Sequence, residues 1–541
     1  MTVPDTTSSR WPVLARGVFR RHRRAGALWG AVFMLYFVAS VSGYASAYPT
    51  QADRVQFART FLDNAGIAAL FGRALRADTP ASFAGWRSTV LVAMVGSIWA
   101  LLLATKALRA EEEQGRAELV LAAPLSKADN ARGVLAGLAG VLGVVFAIMA
   151  VTAVVNGLVG GEYGVGDGLW YALEITAGPA MFVAVGALLS QVAPTRARAA
   201  TLAGVVFGAS YLVRMVADVS DGLRWLAWLS PLGWAERMQP LTDPDHRAIV
   251  PIVVFVVVVV YATLRLAAAR DVGGALLSDR EEGDVHPALL RSPARLAVRL
   301  ARPADLGWAA GLAVAGLVFG LISKTVSDAT ASNSTTKDIF ARFGTKEVIA
   351  SAYLGITFLF LAAAVAMIAA AAVGSTRAEE ADGRVDHILS RPVSRTRWLT
   401  GRLLVTTAGM IAIGLVTGIA GWAGAASQDL GVSFTSMLAA GLNLVPIAVL
   451  VLGIGTLAHG VLPRAASPVA YALIAWSFLV EMIGALVKAP ALLLDTSLLH
   501  HVAPAPAVDP RWDSALVMVA IGVLAAAGGV VAFRRRDLAG A

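Results

Sequence analysis

The chain of 541 residues contains no cysteine. That excludes a disulfide framework, a thiolate metal site and a cysteine nucleophile. Charge is scarce, at 15% of residues, against about 25% in soluble domains. So little polar surface weighs against a water-soluble enzyme. Lysine supplies only 6 of the 45 cationic side chains. No Gly-x-x-x-x-Gly-Lys-Ser/Thr phosphate loop occurs; Phe343-Gly-Thr-Lys346 is the nearest fragment and lacks the preceding glycine. The chain therefore has no cradle for a nucleotide. The seven histidines, His22, His246, His286, His387, His459, His500 and His501, have no metal-ligand spacing. The longest stretches between apolar runs, 48–86 and 269–304, are about 40 residues, too short for a domain.

What is present is oil. Hydrophobic residues make up 57% of the chain and the mean hydropathy is +0.69. Disordered chains are poor in apolar residues, so disorder is excluded. Crossing a bilayer takes about 20 apolar residues in a helix. Twelve such runs occur. Six are in residues 1–270: roughly 27–47, 87–106, 134–158, 168–192, 199–217 and 248–268. Six are in residues 305–541: roughly 305–323, 348–374, 403–424, 436–459, 468–487 and 514–533. Residues 271–304 link the two sets. The run Ile252-Val-Val-Phe-Val-Val-Val-Val-Val-Tyr261 is the least ambiguous. The sequence predicts an all-α polytopic membrane protein of twelve transmembrane helices.

The net charge of +9 reads as basic loops held at one membrane face rather than a nucleic-acid footprint. With the N-terminus inside, inner segments hold 30 Lys and Arg and outer segments 14. Arg20-Arg21-His22-Arg23-Arg24 and Arg534-Arg535-Arg536 both abut membrane ends. Both termini are therefore placed in the cytoplasm of a multi-pass cell-membrane protein. Ala45-Ser46-Ala47 also resembles a signal-peptidase site, but the preceding basic region is long for a signal peptide. Arg10–Arg24, with Trp11, Val13, Leu14, Val18 and Phe19, reads as an amphipathic helix on the inner leaflet.

The chain is written twice. Arg109-Ala-Glu-Glu-Glu-Gln-Gly-Arg-Ala-Glu-Leu-Val-Leu-Ala-Ala-Pro-Leu-Ser-Lys127 aligns without gaps on Arg377-Ala-Glu-Glu-Ala-Asp-Gly-Arg-Val-Asp-His-Ile-Leu-Ser-Arg-Pro-Val-Ser-Arg395, at an offset of 268. Extended to Leu135 and Leu403, 11 of 27 positions are identical. Pro179 and Pro446, Gly186 and Gly453, and Ser210–Met215 and Ser477–Met482 match at 267; Arg270–Ala275 and Arg536–Ala541 match at 266. Several matches in order at a nearly constant offset mean duplication. Six spans per half is an even number. The repeats are therefore parallel, about a pseudo-two-fold axis along the membrane normal.

The repeated segment follows the second span of each half. Its start continues the span as a charged helical end. Gly115 and Gly383 break that helix. A short helix follows, with Leu119 and Leu121, or Ile388 and Leu389, on an apolar side, and Pro124 and Pro392 stop it. Read blandly, this is a solvated loop with surface ion pairs worth about 0–1 kcal/mol. Read functionally, it is a surface that docks a soluble partner through Glu111, Glu112, Gly115, Arg116, Glu118 and Pro124, and through Glu379, Glu380, Gly383, Arg384, Asp386 and Pro392. Retention of the pattern in both halves while the spans diverged favours docking.

The pattern Glu-Glu-x-x-Gly-Arg-x-(Glu/Asp)-x-x-Leu-x-x-Pro-x-Ser-(Lys/Arg) resembles the cytoplasmic loop of ABC-2 type transporter permeases. Leu229-Ser-Pro-Leu-Gly-Trp234 and the terminal Arg-Arg-Arg-Asp-Leu are similar to the same family. A fused twelve-span chain resembles its actinobacterial branch of polyketide-antibiotic exporters, the tetronasin type. The resemblance implies that these loops contact a separate ATP-binding subunit, two copies per chain. ATP and Mg would be bound there, and this chain would need no cofactor. It also implies a hydrophobic drug or polyketide as substrate. The second copy departs from the first at Ala381 and His387.

Charges inside spans cost roughly 2.5–3.5 kcal/mol at the centre. Glu174, Arg214 and Glu481 are three such residues. Arg214 and Glu481 occupy equivalent repeat positions. Either they meet across the pseudo-two-fold axis as a latch, or each snorkels to its interface. Glu174 either meets a cationic substrate or serves structure. Pro179 and Pro446 sit within spans and are expected to kink them. Trp225, Trp228 and Trp234 read as an interfacial belt, and the resemblance adds short re-entrant helices in that loop. Asn333-Ser-Thr335 is a glycosylation sequon.

Three rivals remain at this stage. A twelve-helix secondary transporter would use an ion gradient and carboxylates within the membrane. A lipid-modifying enzyme would need a repeated outer cluster of acids or histidines. A non-transporting anchor would only recruit an ATPase.

Overall fold

The computed structural model describes residues 11–62, 68, 72–73, 75–123, 125–219, 221–271, 273–277, 292–331, 349–487 and 490–538. Pro124, His286, the sequon at 333–335 and Phe343–Lys346 lie outside the described residues. Among the described residues all regular structure is helical. Among the described residues eleven helices are long and apolar enough to cross a membrane. The twelfth predicted run, 468–487, is also a helix, of 22 residues. The chain separates into two compact units, residues 1–282 and 283–541.

In the first unit, α1 is Trp11–Ala47, α2 Gln51–Leu62, α3 Pro80–Thr105, α4 Arg116–Leu121, α5 Lys127–Gly160, α6 Val165–Val192, α7 Arg196–Val219, α8 Pro231–Arg237 and α9 Ile249–Ala269. The long helices α1, α3, α5, α6, α7 and α9 contain the six predicted spans. α6 is apolar all round, so it sits innermost; Tyr171, Ile175, Met181 and Phe182 are fully buried along it. α9 is the opposite case. Val257 and Tyr261 are 60% and 61% exposed, an apolar face that only lipid suits.

The reading of Arg10–Arg24 as a separate surface helix is corrected. Residues from Trp11 onward form one unbroken helix with the first span, 37 residues or about 55 Å long. Leu14, Val18 and Phe19 pack on glycines of α5 instead of lipid. A Cβ on Gly137 would lie 2.6 Å from Val18 Cβ, so glycine is what admits α1 there.

In the second unit, α10 is Pro293–Ala331, α11 Ile349–Ala381, α12 Arg384–Leu389, α13 Arg395–Ala426, α14 Phe434–Leu442, α15 Val445–Val461, α16 Ala466–Val487 and α17 Trp512–Arg535. The order of the long helices reproduces that of the first unit, with one difference. The predicted span 436–459 is two helices, α14 and α15, separated at Asn443-Leu444. Pro446 is in the first turn of α15, where its missing N–H costs nothing. Asn443 Nδ2 donates to the Ala503 carbonyl at 2.8 Å. Pro179, its repeat partner, lies inside the continuous α6. The expected pair of kinks is thus one interior proline and one helix break. The repeat partners Gly186 and Gly453 also serve different neighbours. A Cβ on Gly186 would be 2.8 Å from the Leu101 carbonyl of α3, whereas one on Gly453 would overlap the Gly522 carbonyl of α17.

Candidate functional site

The two copies of the repeated loop fold alike. Beyond Thr105, a π turn at Lys106–Ala110 and a last turn at Glu111–Glu113 extend α3. Gly115 then reverses the chain at φ +70°, ψ 0°. α11 runs unbroken to Ala381, and Gly383 reverses the chain at φ +71°, ψ +4°. Left-handed backbone costs an L-residue roughly 1–2 kcal/mol and suits glycine. The six-residue helices α4 and α12 follow.

The apolar side of these helices differs from the expectation. Ala117 and Val385 are the inward residues, 4% and 1% exposed. Successive residues turn about 100°, so a position two further on points the opposite way. Leu119 is accordingly 78% exposed, and His387, its repeat counterpart, is exposed too. Ile388 and Leu389 are half-buried against Val385, Trp398 and Phe533. Arg116, Glu118, Arg384, Asp386 and Pro392 are exposed. α12 ends at Leu389, ahead of Pro392. The retained serines have a clear role as helix caps. Ser126 Oγ accepts from Asp129 N at 3.0 Å and Ser394 Oγ from Arg397 N at 3.2 Å, starting α5 and α13.

The glutamates at the helix ends mostly turn inward. Glu112 is paired with Arg109 at 2.9 Å and with Arg270. Glu380 is fully buried; Arg536 binds its two oxygens at 2.5 and 2.8 Å, and His459 Nε2 lies 3.3 Å away. Arg109 also donates to the carbonyls of Pro194, Gly273 and Gly274. Glu111 accepts two bonds from Arg116, both 2.8 Å, and one from Arg21 at 3.2 Å. The bond to Glu111 raises the affinity of Arg116 for its proton. Glu379 is paired with Arg402 at 2.6 Å. Lys127 Nζ donates to the Arg270 carbonyl at 2.8 Å and to Asp271, whose carboxyl it holds below its usual range. Arg395 donates to the Arg536 carbonyl at 2.5 Å.

The halves diverge where the sequence diverges. Glu113 Oε1 accepts from the backbone N of Arg196 at 2.6 Å, at the start of α7. In the second half Ala381 has no carboxylate. The turn Pro463–Ala465 that precedes α16 begins with a residue that has no N–H to donate. Donor and acceptor are absent together.

Arg214 and Glu481 each have partners within their own unit. Arg214 is buried between Glu236 at 3.0 Å and Asp218 at 3.1 Å. Glu481 is 3.5 Å from Ser497 Oγ and 4.0 Å from His500 Nδ1. Sequence reading missed Asp218 and Glu236. It also missed a duplicated serine pair. Ser230 Oγ donates to the Ser210 carbonyl at 2.6 Å, and Leu232 N donates to Ser210 Oγ at 3.1 Å. Ser497 Oγ donates to the Ser477 carbonyl at 3.0 Å, and Leu498 N donates to Ser477 Oγ at 3.0 Å. Ser230 and Ser497 stand at the repeat offset of 267, the signal that would have found them. Glu174 is completely buried on α6. Trp225 and Trp228 lie in a short helix, Asp221–Leu229, where Trp225 is 60% exposed. α8 folds back into the unit through Leu232 and Ala235. Among the described residues no group of three or more histidines or acids is arranged to hold a metal.

Comparison with known proteins agrees with this architecture. Residues 290–534 match the family described as multidrug efflux system permease Rv1217c, C-terminal domain. A relative from Mycobacterium tuberculosis (strain ATCC 25618 / H37Rv), named multidrug efflux system permease protein Rv1217c, is 26% identical over 531 residues, covering 97% of this chain and 94% of that protein. Residues 14–221 match the family described as ABC-2 family transporter protein. The chain is therefore an all-helical, polytopic membrane protein whose residues 14–221 are similar to the ABC-2 transporter family.

Proposed function

We propose that this chain is the membrane-spanning subunit of an ATP-binding cassette exporter. Two copies of a separate ATP-binding subunit dock on the loops at 109–127 and 377–395. ATP and Mg are bound by those subunits and supply the hydrolysis. The substrate is a hydrophobic, drug- or polyketide-like molecule moved outward across the cell membrane. All twelve predicted runs span in this reading, with both termini in the cytoplasm, and the chain itself does no covalent chemistry.

One observation carries the reading: the same elbow, a left-handed glycine followed by a six-residue helix, ends the second long helix of both halves. A solvated loop needs no such retention. The outward residues Arg116, Glu118 and Leu119, with Arg384, Asp386 and His387, form the docking faces. The ABC-2 family match and the relative named as a multidrug efflux permease support the same assignment.

The test is co-purification with an ABC ATPase encoded beside the chain, followed by transport in vesicles. Efflux that requires ATP and persists when ion gradients are collapsed fits the proposal. Efflux that follows an ion gradient without ATP overturns it. That outcome would favour a secondary transporter, for which one observation speaks: the buried carboxylate of Glu174 is the type of group such carriers use.

A further inference from the structure

We infer that Arg270 and Arg536 are positioning residues that tie the last helix of each half to its docking elbow, so that a push on an elbow moves two helices as one. The inference rests on the docking reading above but concerns residues outside the docking faces.

The observation is a network present twice. Arg270 caps the C-terminus of α9 at φ −93°, ψ 158°; Arg536 caps α17 at φ −95°, ψ 160°. Each guanidinium reaches the second glutamate of its elbow, Glu112 or Glu380. Each backbone carbonyl accepts from the basic residue that opens the third long helix, Lys127 or Arg395. Three helix ends thus meet on one arginine in each unit. Around this network the partners have changed. Arg270 Nε donates to the side chain of Gln191 at 2.7 Å, while Arg536 Nη2 donates to the His459 backbone at 3.2 Å. The duplication kept the Glu–Arg pair and the carbonyl contact, together with the neighbouring pairs Arg109–Glu112 and Arg377–Glu380.

Burial sets it apart from a surface ion pair. The side chains of Glu112 and Arg270 are both 11% exposed, and Glu380 is fully buried against Arg536. Solvent and salt screen such pairs little. The tie is therefore stiff enough to carry displacement from the elbow into α9 and α17, in addition to the covalent path into α3 and α11.

Absence of native cysteine makes the test clean. Glu112→Cys with Arg270→Cys, and Glu380→Cys with Arg536→Cys, are purified with the ATPase in lipid nanodiscs. ATP hydrolysis is measured before and after bridging with a bifunctional methanethiosulfonate, and again after reduction. Complex-dependent hydrolysis is expected to fall roughly tenfold or more in the unbridged variants, because a catalytic assembly loses rate steeply when positioning slackens. Bridging is expected to restore most of it, and reduction to remove it again. Full activity without the bridge, or no recovery with it, overturns the inference. Loss of the ATPase from these variants also overturns it, since the glutamates would then be supporting the docking face alone. Failure of the parent chain to retain the ATPase is a separate result and counts against the docking reading itself. If a paired variant does not fold, Arg270→Lys and Arg536→Lys keep the charge and lose the fork geometry; unchanged hydrolysis in both would overturn the inference equally.

Discussion

Gly115 and Gly383 adopt the same left-handed backbone, φ +70° and φ +71°, at the same place in two halves of one chain. Space is not the reason at Gly115, where a Cβ would meet nothing within 4 Å. The demand is conformational. Gly115→Val and Gly383→Val are expected to cost about 1–2 kcal/mol each through backbone strain, and Asn in their place appreciably less. Loss of complex-dependent ATP hydrolysis in the Val variants, with Asn retaining more, checks this. Equal activity of Val and Asn would be incompatible with it.

Leu119 is a large apolar side chain left mostly exposed. Leu119→Asp is expected to leave the purified permease as heat-stable as the parent, since exposed substitutions shift stability by about 0.5 kcal/mol or less. ATPase affinity should fall roughly tenfold or more, as for a buried interface anchor. Titration of the ATPase onto nanodisc-held permease measures both effects. His387→Asp is expected to follow the same pattern on the second elbow.

Arg214 pairs with both Glu236 and Asp218 from a buried position. Arg214→Gln leaves two carboxylates without their cation and is expected to cost about 3–5 kcal/mol. Glu236→Gln, which leaves Asp218 to pair with the arginine, is expected to cost less. Thermal unfolding in detergent separates the two. A latch between Arg214 and Glu481 makes a different prediction: the charge-swapped double variant would regain function lost by either single change.

Ser210 and Ser477 each accept a backbone N–H and pass their own carbonyl to a second serine. Ser210→Ala and Ser477→Ala are each expected to lower stability by about 1–3 kcal/mol, the cost of leaving a buried polar group unmet. The same melting assay on both variants tests whether the two pairs are equivalent. A loss in one half only would show that the second has taken over another role.

Much of this molecule was legible in the chain alone. Apolar runs of bilayer length determined the helices, because lipid leaves the backbone no other way to meet its hydrogen bonds. The constant offset of 268 between Glu112 and Glu380, or Gly115 and Gly383, determined that two halves would share one elbow. Tertiary structure decided the direction of side chains. Whether Glu112 faces a partner or Arg270 depends on residues 158 positions apart, a relation that no local pattern encodes. The inward turn of Ala117, which leaves Leu119 outside, follows from where α4 lies on its unit rather than from hydrophobicity. At the break, Asn443 finds its acceptor in Ala503, 60 positions away. Local periodicity specifies which segments become helices; long-range packing and charge pairing decide what each helix shows to the outside, because those energies arise only when distant parts of the chain meet.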